Sequence, residues 1–209
     1  MLDPRSGFTL ELNSREDVNP GGIGKMGTVM DTIARRHSVR GYQDKPVERE
    51  KILQIVEAAR LAPSTSNVQP WRFIVVEEPG LKHTLVKKGM GMAVPNRWAE
   101  EAPVIIVMCA HLDWIVHRLG ARAADLQYYL LDIGITGEHM VLAATELGLG
   151  TCWIGWFRAK AIKNILNIPR GWKIAALLTL GYPKEEVPLK PRSRLGLDEI
   201  LFFNRMGEP

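Results

Sequence analysis

"ARAADLQYYLLDIGITGEHMVLAATELG", residues 121–148, is the longest helical pattern in the chain, and it is apolar around much of its circumference. A helix of that kind is covered on several sides, by its own core or by a second chain. What flanks it mixes strands with helices. "TCWIGW" (151–156) reads as a strand, "RAKAIKNILNI" (158–168) as a helix and "WKIAALLTLGY" (172–182) as a central strand. Upstream, "WRFIVVEE" (71–78) and "PVIIVMCA" (103–110) are short, rich in β-branched residues and bounded by turn residues, so both read as buried strands. Between them "GLKHTLVKK" (80–88) reads as a short helix. Nearer the start, "TVMDTIARRH" (28–37) has a helical pattern. A second helix follows in "PVEREKILQIVEAARLA" (46–62), where Ile52, Ile55, Val56 and Ala59 recur at helical spacing, Pro46 opens it and Pro63 stops it. Helices and strands mix irregularly, without strict βαβ alternation.

At 209 residues and 46% hydrophobic, the chain buries one good core, so one domain is expected over 26–209, with a C-terminal extension. Residues 1–25 lead into "NPGGIGKMG" (19–27) and read as an arm. "GIGKMG" (22–27) matches G-x-G-x-x-G literally, but "NSREDVNP" separates it from the nearest probable strand, "FTLEL", so it is a false positive. The net charge of +4 is mild beside that of a dedicated nucleic-acid binder and suits an anionic small ligand better. Cys109 and Cys152 sit in apolar surroundings, as buried free thiols of a reducing compartment do. Apolar runs such as "VIIVMCA" (104–110) fall far short of the roughly 20 residues of a membrane span, and the N-terminus lacks the apolar block of a signal peptide. A cytoplasmic protein, off the membrane, is expected.

"RRHSVRGY" (35–42) places Arg36, Ser38 and Arg40 after a helix. Guanidinium groups with a nearby hydroxyl bind phosphate by charge-assisted, often bidentate hydrogen bonds; taken alone, a solvated turn explains them as well. A second basic group, Lys190, Arg192 and Arg194, lies in "LKPRSRL" (189–195). "APSTSNVQPW" (62–71) offers Ser64, Ser66, Asn67, Gln69 and backbone amides in a loop stiffened by two prolines and a tryptophan. In "ELGLGTCWIGWF" (146–157), Gly150 and Gly155 would let backbone approach a flat ring closely. Cys152, among Trp and Ile, reads as an inert thiol with no dyad to activate it. His111, Asp113 and His117 lack the remainder of a metal site. The tail "LGLDEILFFN" (195–204) carries Leu, Ile and Phe with little chain left to cover them, which suggests docking against a partner subunit.

In order and spacing, "RRHSVRGY", "APSTSNVQPW", "GLGTCWIG" and "RSRLGLDEIL" together resemble the nitroreductase family of flavoproteins, over roughly residues 28–204. The resemblance implies an α+β, nitroreductase-like fold: a central, mostly antiparallel sheet flanked by helices, in an intertwined homodimer with two FMN molecules at the subunit interface. By motif, Arg36, His37, Ser38 and Arg40 look like the segment meeting the FMN phosphate, ribityl chain and pyrimidine edge. Arg192 and Arg194 resemble the late basic pair on the phosphate, with Lys190 as a competing register. Pro63, Ser64 and Asn67 resemble residues that reach the flavin from the other subunit. Ile154 and Gly155 match the stretch along the flavin near N5, where Ile154 replaces the acidic side chain of some members. The activity implied is ping-pong hydride transfer from NADH or NADPH, through FMN, to a nitroaromatic, quinone or flavin acceptor, with no catalytic side chain required. A substrate lid would fall within 89–120. Relatives on this fold also dehalogenate reductively or degrade flavin. A non-enzymatic anion or nucleic-acid binder, or a flavin carrier, completes the alternatives.

Overall fold

The apolar runs read as strands pair into one antiparallel sheet in a computed structural model that describes residues 29–90, 96–112, 127–184 and 193–206. The strands are β1 (Trp71–Val76), β2 (Val104–Ala110), β3 (Gly150–Ile154) and β4 (Lys173–Gly181), in the spatial order β1-β2-β4-β3. Every residue of β2 is buried, as an inner strand covered on both faces should be. Its side chains alternate between two apolar layers. Ile106, Met108 and Ala110 join Leu178 on one face, with Ile52, Ile55, Ile133 and Met140 from the helices above. Ile105, Val107 and Cys109 join Leu177 on the other, with Leu85, Val86 and Ile162. A register shift between Met108 and Cys109 leaves Ala175 of β4 as the extra residue, the arrangement of a β-bulge.

The α-helices among the described residues are α1 (Val29–Arg35), α2 (Arg49–Arg60), α3 (Pro79–Thr84), α4 (Tyr128–Glu146), α5 (Ala159–Ile165) and α6 (Leu197–Ile200). The α3 start is fixed by Glu78, whose carboxylate accepts from the Gly80 and Leu81 amides, with Pro79 in the first turn. Helix α4 is the long element expected from the sequence, and it lies hard against the sheet at Gly137. A Cβ there would stand 2.1 Å from Trp153 and 2.6 Å from Met108. The helix stops before Gly148, whose φ of 74° supplies a left-handed residue just past its end.

Some boundaries differ from the sequence reading. The second helix starts at Arg49 rather than Pro46, because Glu48 keeps an extended backbone. The short helix after β1 covers Pro79–Thr84 and relaxes into a wider turn over Leu85–Gly89. The start of the long pattern, 121–126, the arm 1–25 and "GIGKMG" lie outside the described residues. Cys109 and Cys152 are free and buried. Among the described residues no helix is long and apolar enough to cross a membrane. Large apolar side chains are nonetheless exposed on α1 (Val29, Met30, Ile33), on α4 (Leu130, Leu131) and on the tail (Leu197, Ile200, Phe203).

Candidate functional site

Strand β3 pairs with β4 on one edge, and residues 38–39 lie along the other, the chain then crossing to pair Tyr42 with Pro183 just beyond β4. Ser38 bridges Thr151 in parallel, and the Val39 amide donates to the Thr151 carbonyl over 2.8 Å. Gly150 permits this approach, since a Cβ there would come within 2.5 Å of Val39. Tyr42 locks the far end. Its hydroxyl donates to the Val39 carbonyl (2.7 Å) and meets Thr179 Oγ1 (2.6 Å). Thr179 in turn lies 3.2 Å from the Cys152 carbonyl. Burial holds the Tyr42 phenol far above its ordinary pKa, partly opposed by the Thr179 hydrogen bond, so Tyr42 serves as a neutral clamp.

The clamp sets out the polar groups of 36–40. Arg36 is largely covered, with Nε 4.0 Å from Glu138 Oε1. Arg40 places its guanidinium 5.7 Å from the centre of the Trp98 ring. His37 holds Nδ1 3.1 Å from the Arg35 carbonyl, while its Nε2 is buried and has no partner among the described residues. At the end of β3, Ile154 is buried. A Cβ on Gly155 would meet nothing within 4 Å, and Trp156 beyond it is 64% exposed. The arginines, a hydroxyl and an unpaired imidazole nitrogen of 36–40 suit an anionic ligand with polar edges.

Cys152 does not add a nucleophile. Burial raises its thiol pKa, against smaller opposing effects from Arg40 and the Ser38 hydrogen bond. Burial pushes Cys109 up to about 11. Among the described residues no group of three His, Cys, Asp or Glu side chains is placed to hold a metal ion.

The second group, Pro63, Ser64 and Asn67, sits elsewhere in the chain. Thr65–Asn67 form a tight turn in which Ser66 (φ 50°), Asn67 (φ 54°) and nearby Gln69 (φ 49°) are left-handed. Ser64 Oγ accepts from the Gln69 amide at 2.9 Å. Asp132 on α4 receives both the amide (2.8 Å) and the hydroxyl (3.1 Å) of Thr65. Asp132 and Glu138, the contacts of the two groups on α4, are six residues apart, about 9 Å along the axis and about 120° around it. Residues 36 and 65 are therefore referred to different sides of the same helix, while Ser38 and Val39 dock on Thr151, three residues before Ile154.

Arg194 is exposed, and its Nη1 donates to the Ser193 carbonyl. Arg192 and Lys190 lie outside the described residues, as do parts of the expected lid. Sequence reasoning missed Tyr42, Glu138 and Asp132. A lone acid inside "YYLLDIGI" was the available signal for the last, because a carboxylate on a buried helix face needs a partner. A groove of about 530 Å³ lined by Asp44, Lys45, Glu77, Lys82, Glu100 and Lys184 contains none of the expected site residues.

Comparison with known proteins bears on this geometry. A sequence model described as the nitroreductase family matches residues 33–182. An NADH dehydrogenase of Thermus thermophilus is 32% identical over 195 residues, covering 81% of this chain and 92% of that protein. An FMN reductase [NAD(P)H] of Bacillus subtilis is 30% identical over 183 residues, covering 80% of this chain and 70% of that one. The solved structure of an FMN-dependent nitroreductase from Clostridium difficile R20291 superposes with a TM-score of 0.68 at 28% identity, over 84% of this chain and 99% of the other. The chain belongs to the nitroreductase family and has its α+β fold.

Proposed function

From that membership we propose that this protein is an FMN-dependent oxidoreductase that takes electrons from NADH or NADPH and delivers them to a nitroaromatic, quinone or flavin acceptor. The observation that carries the reading is the docking of Ser38 and Val39 on Thr151 at the free edge of β3, the strand that runs on to Ile154 and Gly155, in a chain whose relatives are named for FMN and NAD(P)H. The residues fit the cofactor: His37 Nε2 is buried without a partner among the described residues, and Gly155 faces open space.

When bound, FMN supplies a two-electron carrier that accepts hydride from the donor and gives it to the acceptor in alternate half-reactions. The protein's part is to bind and orient. Arg36 and Arg40, with Arg192 and Arg194 from the tail, would hold the phosphate and bias the site toward the reduced, anionic ring. The Ser38 hydroxyl and the His37 imidazole would meet the polar chain and pyrimidine edge. Ile154 would offer its backbone, and Gly155 would let a ring lie close to it. Pro63, Ser64 and Asn67 would serve the site of a second copy, in a homodimer formed over the exposed apolar residues of α1, α4 and the tail. No side chain is assigned a catalytic role. Residues 26–209 would form the working domain with 1–25 as an arm, and the free buried cysteines favour the reducing cytoplasm.

The test is spectroscopic. Purified protein should be yellow, and NADH or NADPH should bleach the flavin band anaerobically, with nitroaromatic, quinone and flavin acceptors then compared for turnover. A colourless protein that cannot be reconstituted with FMN overturns the reading.

A further inference from the structure

The turn carrying Ser64 and Asn67 holds three non-glycine residues, Ser66, Asn67 and Gln69, in the left-handed region. Residues with a Cβ avoid that region unless their surroundings impose it. Within the turn, the Ser64 hydroxyl accepts from the Gln69 amide, and Gln69 Nε2 donates to Asn67 Oδ1 over 3.1 Å. Arg72 of β1 donates to the Gln69 carbonyl at the end of the turn, and its start is attached to α4 by Asp132, which is 1% exposed. Its Oδ1 takes both hydrogen bonds of Thr65.

Asp132 is poorly provided for in other respects. Its Oδ2 is buried with no partner among the described residues, and so is Thr136 Oγ1 one turn later on the same helix face. A carboxylate with one bare oxygen in an apolar helix is costly, so stability alone does not explain an acid there. The helix beneath it is firm, since Ile133, Gly137 and Met140 are buried in the core. The side chain thus ties a strained polar turn to a rigid support.

We propose that Asp132 is a positioning residue for the cofactor: it fixes the 64–69 turn in its left-handed form and so sets how tightly Ser64 and Asn67 hold FMN. This rests on the FMN reading given above. Asp132 itself touches neither cofactor nor substrate.

The experiment compares the full-length protein with its Asp132→Ala, Asp132→Asn and Thr65→Val variants by two measurements. One is the FMN dissociation constant from flavin fluorescence, the other amide hydrogen exchange without added FMN. Asp132→Ala is expected to weaken FMN binding about tenfold and to speed exchange of the 65–69 amides about tenfold, the size expected for hydrogen bonds to a charged acceptor. The β2 and β4 amides should stay protected. Asp132→Asn keeps an oxygen for both Thr65 donors and should restore both readouts to within about threefold. The proposal is overturned if the turn amides of Asp132→Ala exchange as in the wild type, if they exchange faster with FMN affinity unchanged, or if the asparagine variant is as impaired as the alanine. Should Asp132→Ala lose protection across β2 and β4, Thr65→Val decides. It removes one bond, and about a threefold change in both readouts is expected, no change counting against the proposal. A wild type that binds no FMN sinks the functional reading by itself, and the exchange of the turn amides then decides the anchor.

Discussion

Residues 36–42 and residues 63–69 both carry polar groups on irregular chain, yet they are held by opposite means. The first segment is joined to the sheet by the backbone bond from Val39 to Thr151, by a second from Gln43 to Tyr182, and by the buried Tyr42 hydroxyl. The second is tied to the body by side chains, the Asp132 carboxylate on Thr65 and, at its far end, Arg72 of β1 on the Gln69 carbonyl. The first segment therefore moves only if the sheet moves. The second can be released while the core stays intact, so damage to the two attachments, as distinct from the exposed side chains they carry, should look different: loss of stability in one case, loss of affinity in the other.

The sharpest way to break this contrast is Gly150→Val. The first added carbon would already lie within 3 Å of three Val39 side-chain atoms. About 2–3 kcal/mol of destabilisation is expected from overpacking, read as a lower urea midpoint together with loss of FMN. An unchanged midpoint would mean that the sheet edge does not pin this segment. Tyr42→Phe comes next, at about 1–2 kcal/mol, because the Val39 carbonyl and Thr179 hydroxyl lose a buried partner; thermal unfolding measures it. Arg40→Ala should leave the midpoint nearly unaltered while weakening FMN about tenfold in a fluorescence titration, the cost of one charge-assisted contact.

The smallest expected effect is alkaline. Burial raises the Cys109 thiol from 9.0 to about 11. Below 9 the folded and unfolded thiols are both protonated and contribute nothing. Between 9 and 11 only the unfolded thiol ionises, so stability falls as pH rises and levels off above that window. Urea unfolding at pH 8 and pH 10 should show a steeper loss in the wild type than in Cys109→Ala. Equal losses would place Cys109 in a wetter strand than the core supporting residues 36–42.

Much of the fold was legible because burial writes itself into composition. Four apolar runs gave four strands, and the 3.6-residue periodicity of 46–62 gave α2. The helix start at Arg49 was misplaced because Pro46 looks like a first-turn residue, while the extended backbone of Glu48 has no mark of its own. The site was legible in part. The arginines of 35–42 stood out by charge, and Gly155 by its place after a strand. Tyr42 stood in the same stretch, but its role depends on Thr179, 137 residues away, and a long-range hydrogen bond leaves no local pattern. Asp132 was hidden by its apolar neighbours, and its partner is 67 residues distant.

Both parts of the site are referred to α4, one through Asp132 and the other through Glu138. Deleting a single residue between them would rotate one attachment by about 100° and shift it by about 1.5 Å relative to the other. Side chains at 133–137 can be exchanged within the limits of packing, but their number cannot change without taking the two attachments out of phase. In this stretch the protein tolerates new spelling far better than a new count.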